Sequence, residues 1–144
     1  QAAPRAAVRF VLRQQARSGG WSWYLNGRPD SNDSAAAIEA LRSAGVTGRP
    51  IRSGLAYLLA LRNRDGGFEL TPGRGSDAQS TAWAVQAFVA AGRPVPKGSL
   101  AYLSRLRRPD GSFRYSQRYA TTPVWVTAQV LAALHRRAFP LEQP

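Results

Sequence analysis

Cysteine and methionine are absent from the 144 residues, and histidine occurs once, at His135. Without cysteine the chain forms no disulfide, no thiolate metal site and no thiol nucleophile, and this absence points to no particular compartment. One histidine cannot assemble an ordinary zinc site, so neither a metal nor a cofactor is expected. Long apolar runs are missing too, and nothing approaches the roughly 20 residues that cross a bilayer. The sequence opens on Gln1 rather than Met, which reads as one helical domain, 1–144, cut from a longer chain.

Acidic residues are scarce. Eight Asp and Glu stand against 20 Lys and Arg, all but one of them arginine, for a net charge of +12. Such a surplus suggests nucleic acid or an anionic membrane surface as a partner. The arginines are spread along the whole chain, however, and Arg5, Arg9, Arg13 and Arg17 recur every fourth residue, as on the solvated face of a helix. That distribution argues against nucleic acid and leaves peripheral contact with anionic lipid as the milder expectation.

What is present in abundance is repetition. "FVLRQQARSGGW" (10–21), "YLLALRNRDGGF" (57–68) and "YLSRLRRPDGSF" (102–113) each run from aromatic to aromatic with Gly-Gly or Gly-Ser just before the last residue. A second element follows each: "DSAAAIEALRSAG" (33–45), "STAWAVQAFVAAG" (80–92) and "VTAQVLAAL" (126–134). Trp21 and Phe68 are 47 positions apart and Phe68 and Phe113 are 45 apart, a period in the range of helical arrays. The repeats run about 5–45, 51–92 and 97–135.

Both elements read as helices. Leu55, Leu58, Leu59 and Leu61 crowd one side of a window that the Asn-Arg-Asp-Gly-Gly stretch stops. Val85, Phe88 and Val89 fall at helical spacing among alanines, with Gly92 past the end. "SDAQ" (76–79) has the form of a capping box. No strand-like alternation competes, so the fold class is all-α, with about six helices in three pairs, each pair burying its second face against the next. Trp21, Phe68 and Phe113 are placed to wedge between pairs.

"YLLALRNRDGGF" and "SDAQSTAWAVQAF" together resemble the prenyltransferase and squalene-cyclase repeat family, across about residues 5–135. The resemblance implies an α/α toroid of outer and inner helices around a cavity, here a half-ring of three pairs. Its open edge would meet additional repeats, a second copy of the chain, or solvent. The motif glutamine of the family is Gln15 in the first copy but Arg62 and Arg107 in the others, which implies a weaker turn there. A lesser similarity, through "TAQVLAALHRRAFPL" (127–141), is to the helical domain of cobalamin carriers.

Fold alone does not settle chemistry. Protein prenyltransferases need zinc ligands and thioester domains a reactive cysteine, and this chain has neither. Class II terpene cyclases resemble it at Asp-x-Asp-Asp-Thr-Ala, where a buried acid protonates an alkene or epoxide. "DSNDSA" (30–35) falls on that motif, so Asp30 and Asp33 are the candidate catalytic residues, with Asn32 at the proton donor's position. One repeat later "DAQSTA" sets Asp77 and Gln79 in the places of Asp30 and Asn32. A repeated Asp-x-amide start favours a structural cap on a helix N-terminus.

A cyclase also needs aromatic faces to stabilise a carbocation. Trp23, Tyr24, Tyr115 and Tyr119 sit in the polar turns before the second helices, Trp125 opens the last helix and Trp83 lies in "STAW". With Asp77 these are the candidate ligand-binding residues, for an apolar, isoprenoid-like or flat-ring molecule; as plain covers for helix ends they would serve equally. The leading expectation is a non-catalytic repeat module that binds such a ligand or a protein partner. The alternative is a squalene-type terpene cyclase with a degenerate acid motif.

Overall fold

The computed structural model describes residues 5–139. Six helices follow in order: α1 (Arg5–Arg13), α2 (Ser31–Ser43), α3 (Arg49–Ala60), α4 (Ala78–Ala90), α5 (Ser99–Arg105) and α6 (Pro123–Leu134). Among the described residues there is no strand, only isolated antiparallel bridges inside turns, and the fold is all-α. Among the described residues no helix is long and apolar enough to cross a membrane.

The second helix of each pair packs on the second helix of the next, α2 on α4 and α4 on α6, while α1, α3 and α5 lie along this row. Composition explains the division. Helix α4 has neighbours on both sides and buries residues around its whole circumference, from Ala78 to Phe88, as a helix that is apolar all round must. Helix α1 buries no residue fully and turns Arg5, Arg9 and Arg13 outward, with Val8, Val11 and Leu12 half-buried against the core. Arg17 lies past its end, so the arginine stripe is shorter than its four-residue spacing predicts.

Two apolar clusters fill the spaces between units. Trp21, Ile38, Leu41, Leu55, Leu58, Phe68 and Phe88 form one, and Val85, Tyr102, Leu103, Leu106, Phe113, Val126 and Val130 the other. The repeat aromatics Trp21, Phe68 and Phe113 are buried in them, each contributing about 1.5–3 kcal/mol of apolar burial. Leu59, by contrast, is half-exposed, because four leucines packed into seven residues cannot all share one helical face.

The turn after each first helix is stitched to the start of the second. The Trp21, Phe68 and Phe113 N–H groups donate to the hydroxyls of Ser34, Thr81 and Thr127 at 2.8, 2.9 and 3.0 Å. Each start is also tied to the next unit's turn: Ser31 N–H to the Leu70 carbonyl at 3.0 Å, Ala78 N–H to the Tyr115 carbonyl at 2.6 Å. The starts of α2, α4 and α6 therefore alternate with the turns in one continuous row.

Two details of the turns differ from sequence expectation. The cap of α4 is Asp77, whose carboxylate accepts from Ser80 N–H at 2.7 Å and from the Ser80 hydroxyl at 2.8 Å, rather than Ser76 of the capping-box reading. Arg62 keeps one of the two bonds of Gln15. Gln15 Nε2 donates to the Gly19 carbonyl inside its own turn at 2.8 Å and to the Pro50 carbonyl at 2.9 Å; Arg62 Nη2 donates to the carbonyl of Lys97, the residue one repeat on, and among the described residues its guanidinium has no bond inside its own turn. Beyond α6, Arg136 adopts a left-handed φ of 52°. The reversed chain reaches back so that Phe139 N–H donates to Glu39 Oε2 at 2.7 Å and the Phe139 ring tilts against Trp83.

Candidate functional site

The helix starts are places where matching positions of the repeats differ chemically. Aligned on Ser34, Thr81 and Thr127, the cap position is Asp30, Asp77 and Pro123. The next polar position is Asn32, Gln79 and Trp125, and the one after it Asp33, Ser80 and Val126. Acid thus stands twice at α2, once at α4 and nowhere at α6. Helix α6 starts instead from Thr122 in a left-handed conformation with no side-chain cap, followed by Pro123 at the first helical position.

At α2, Asp30 Oδ1 accepts from Asp33 N–H at 2.9 Å, the same bond that Asp77 makes to Ser80. The side chains then part company. At α4 the partner of the cap carboxylate is a hydroxyl that donates freely. At α2 it is the Asp33 carboxyl, and two carboxylates side by side hold a proton between them. Burial, the hydrogen bond to Asp30 and the Asp30 charge push Asp33 up to about 7, while the Trp23 backbone N–H favours its ionised form. That N–H belongs to the loop carrying Trp23 and Tyr24, whose rings stand edge-to-face at 5.1 Å and are both exposed. The structure thus sets the loop of Trp23 and Tyr24 against Asp33 through the Trp23 backbone, next to a pair of neighbouring carboxyls, with both rings exposed on that loop.

Asp77, Tyr115 and Tyr119 meet at the neighbouring start. They line a cavity of about 350 Å³ with Asp65, Tyr102, Arg74 and Arg118. Asp77 is buried, which raises its carboxyl, and hydrogen bonds from Ser80 and Tyr115 oppose the rise. Composition suggests a pocket for a polar end group, since Arg74 and Arg118 present forked donors suited to carboxylate or phosphate. Trp125 is exposed at the start of α6, next in the row. Trp83 stands apart: it is half-buried, packed on the core and against Phe139. Among the described residues no cluster of metal-binding side chains occurs.

Sequence reading missed Glu39, a buried carboxyl pushed up to about 7 by burial against the Phe139 N–H. The signal was available: a lone glutamate inside "AAAIEAL", with Gln86 at the matching place in α4. It also missed Arg74 and Arg118, whose meeting depends on two turns from different repeats.

No family model matches the chain. It is 37% identical over 139 residues to a drimenyl diphosphate synthase of Streptantibioticus cattleyicolor, covering 90% of this chain and 26% of that one. It is 36% identical over 121 residues to a drimenyl diphosphate synthase of Streptomyces showdoensis, covering 75% and 22%. The chain is similar to terpenoid cyclase-like proteins. It spans about a quarter of the length of the curated relatives it matches, and the similarity favours the enzymatic alternative over the non-catalytic module.

Proposed function

We propose that the chain is part of a terpene-cyclase-like protein that takes a linear prenyl diphosphate, with the start of α2 as its acid site. The carrying observation is Asp33 in the place of the Ser80 hydroxyl beside a cap aspartate that makes the same backbone bond, which leaves a carboxyl raised to about 7 by burial and by Asp30. A plain cap needs no second acid, and a proton donor needs one. In this reading the Asp33 O–H transfers its proton to a substrate alkene carbon while Asp30 accepts the remaining hydrogen bonds. The faces of Trp23 and Tyr24 stabilise the resulting cation, and loss of a neighbouring proton to a base ends the reaction. Arg74 and Arg118 at the adjoining cavity supply the positive groups a diphosphate requires. The similarity to proteins named drimenyl diphosphate synthase supports a cyclic prenyl diphosphate as product.

The test is incubation with linear prenyl diphosphates of several lengths and with squalene, reading cyclic products by mass spectrometry. Product that disappears in Asp33→Asn, with binding of the diphosphate retained, supports the proposal. Asn32 at the usual donor position favours the second reading, a non-catalytic module. Binding without turnover in both wild type and Asp33→Asn would establish that reading and overturn the enzymatic one.

A further inference from the structure

A cavity of about 460 Å³ beside the second half of α2, within the size range of small-molecule sites, gathers three arginines from two distant parts of the sequence. Arg42 comes from the last turn of α2, and Arg136 and Arg137 from the chain that reverses after α6. The frame that carries them is fixed. Arg42 Nε donates to the Ala90 carbonyl at 3.1 Å and Nη1 to the Val46 carbonyl at 2.8 Å, which leaves Nη2 without a partner among the described residues. The Arg136 and Arg137 N–H groups donate to the Ala133 and Ala132 carbonyls at 3.0 and 2.9 Å, so the reversal is tied to the end of α6.

Among the described residues a single acid, the buried Glu39, lines this cavity. It does not pair with the arginines: the one salt bridge among the described residues joins Arg108 and Asp110. Glu39 Oε2 accepts from Phe139 N–H at 2.7 Å, and Oε1 has no partner among the described residues. Burial raises this carboxyl to about 7, and with Oε2 already accepting, its proton falls to Oε1 as a buried donor in need of an acceptor. Such a donor beside three cationic forks suits an oxyanion. A phosphate monoester brings three terminal oxygens and about two negative charges, and Val89 and Phe139 on the same wall offer an apolar surface to its ester body. We infer that the cavity binds a phosphate monoester, with Arg42, Arg136 and Arg137 on its terminal oxygens and Glu39 Oε1 as a further donor. The site is independent of any acid chemistry at the start of α2.

The probes are inorganic phosphate and phenyl phosphate, titrated into the isotope-labelled chain at physiological ionic strength, where exposed charges are largely screened. Both should move the Phe139 amide signal to saturation, phenyl phosphate at the lower concentration. Arg136→Gln combined with Arg137→Gln should weaken phenyl phosphate about tenfold or more, with an unchanged circular dichroism melt. Arg9→Gln combined with Arg13→Gln removes the same charge from the exposed face of α1 and should change binding by about twofold at most. Glu39→Gln keeps a donor and should still bind, whereas Glu39→Ala should bind several-fold more weakly. Phosphatidic acid vesicles carry the same group: displacement of phenyl phosphate by them assigns the site to a lipid headgroup, and no displacement to a free ester. A Phe139 signal that does not saturate, or equal weakening in the α1 and the Arg136, Arg137 variants, means adsorption to a basic surface and overturns the inference. So does equal binding by Glu39→Gln and Glu39→Ala, which would leave Glu39 no part in the site.

Discussion

The Tyr57 hydroxyl donates to the Pro29 carbonyl at 2.6 Å, and one repeat later the Tyr102 hydroxyl donates to the Ser76 carbonyl at 2.7 Å. Both carbonyls belong to the residue just before a cap aspartate, so each unit holds the helix start of the unit before it. Burial raises both phenols above their ordinary value, and they remain donors across the neutral range. Tyr57→Phe and Tyr102→Phe should each cost about 1 kcal/mol by urea denaturation, the net value of one such bond. A loss below a few tenths in both would mean the bonds do not hold the starts.

At Asp33 the expectation concerns a proton. Its folded value near 7 lies above the unfolded 3.8, so the folded state binds the extra proton more tightly. The stability this confers is complete below about pH 4 and is lost as pH rises toward 7. Carbon-detected NMR should show an aspartate carboxyl titrating near neutrality that vanishes in Asp33→Ser. That variant reproduces the Asp77–Ser80 cap and should be at least as stable as wild type at pH 7. A carboxyl titrating entirely below pH 5 would remove the basis for an acid site at α2.

Gly66 and Gly111 occupy matching turns with φ of 90° and 86°. Alanine at either carries the left-handed penalty of about 1 kcal/mol. At Gly66 the new Cβ also meets the Gly98 carbonyl carbon and oxygen at 2.8 and 2.7 Å, and backbone cannot swing aside as a side chain can. Gly66→Ala should therefore destabilise the isolated chain by at least 1 kcal/mol more than Gly111→Ala, measured by thermal melts at a concentration where the chain is monomeric. Equal losses would show that the seam between units yields easily.

The helix pairs were legible in the sequence because spacing of 45 to 47 residues survives any substitution that keeps a residue's class, as Trp21, Phe68 and Phe113 do. So were Asp30 and Asp77 as caps, since an acid before an alanine-rich run has one common use. What was hidden depends on reach rather than pattern. Arg62 replaces Gln15 as a donor to the following unit because both extend far enough, while the bond Gln15 makes inside its own turn, to the Gly19 carbonyl, has no counterpart there. Asp33's proton follows from two carboxyls meeting, and the sequence holds no record of their distance. The contact of Phe139 with Glu39 joins residues 100 apart and rests on a left-handed turn at Arg136 that no residue preference signals.

Glu39 provides the sharpest test of that last contact. Glu39 is 3% exposed, Oε2 accepts from Phe139 N–H, and Oε1 has no partner among the described residues. Arg42, Arg136 and Arg137 share the adjoining cavity of about 460 Å³, yet the raised value near 7 shows burial prevailing. Because the folded value exceeds the unfolded 4.5, the ionised form is penalised on folding. Stability should fall as pH rises from about 4.5 to 7 and level off above, by about 2–3 kcal/mol at most. Glu39→Gln keeps an acceptor for Phe139, adds donors for the cavity and carries no charge, so it should flatten that slope and raise the melting temperature at pH 7.5 while changing little at pH 4.5. Glu39→Ala separates the terms: it also flattens the slope but abandons the Phe139 N–H and leaves a hole, so it should be less stable than Glu39→Gln at both pH values. If Glu39→Gln were instead destabilised at pH 7.5, the carboxylate would be bound by the arginines in its ionised form, and the burial-dominated account of this residue would fall.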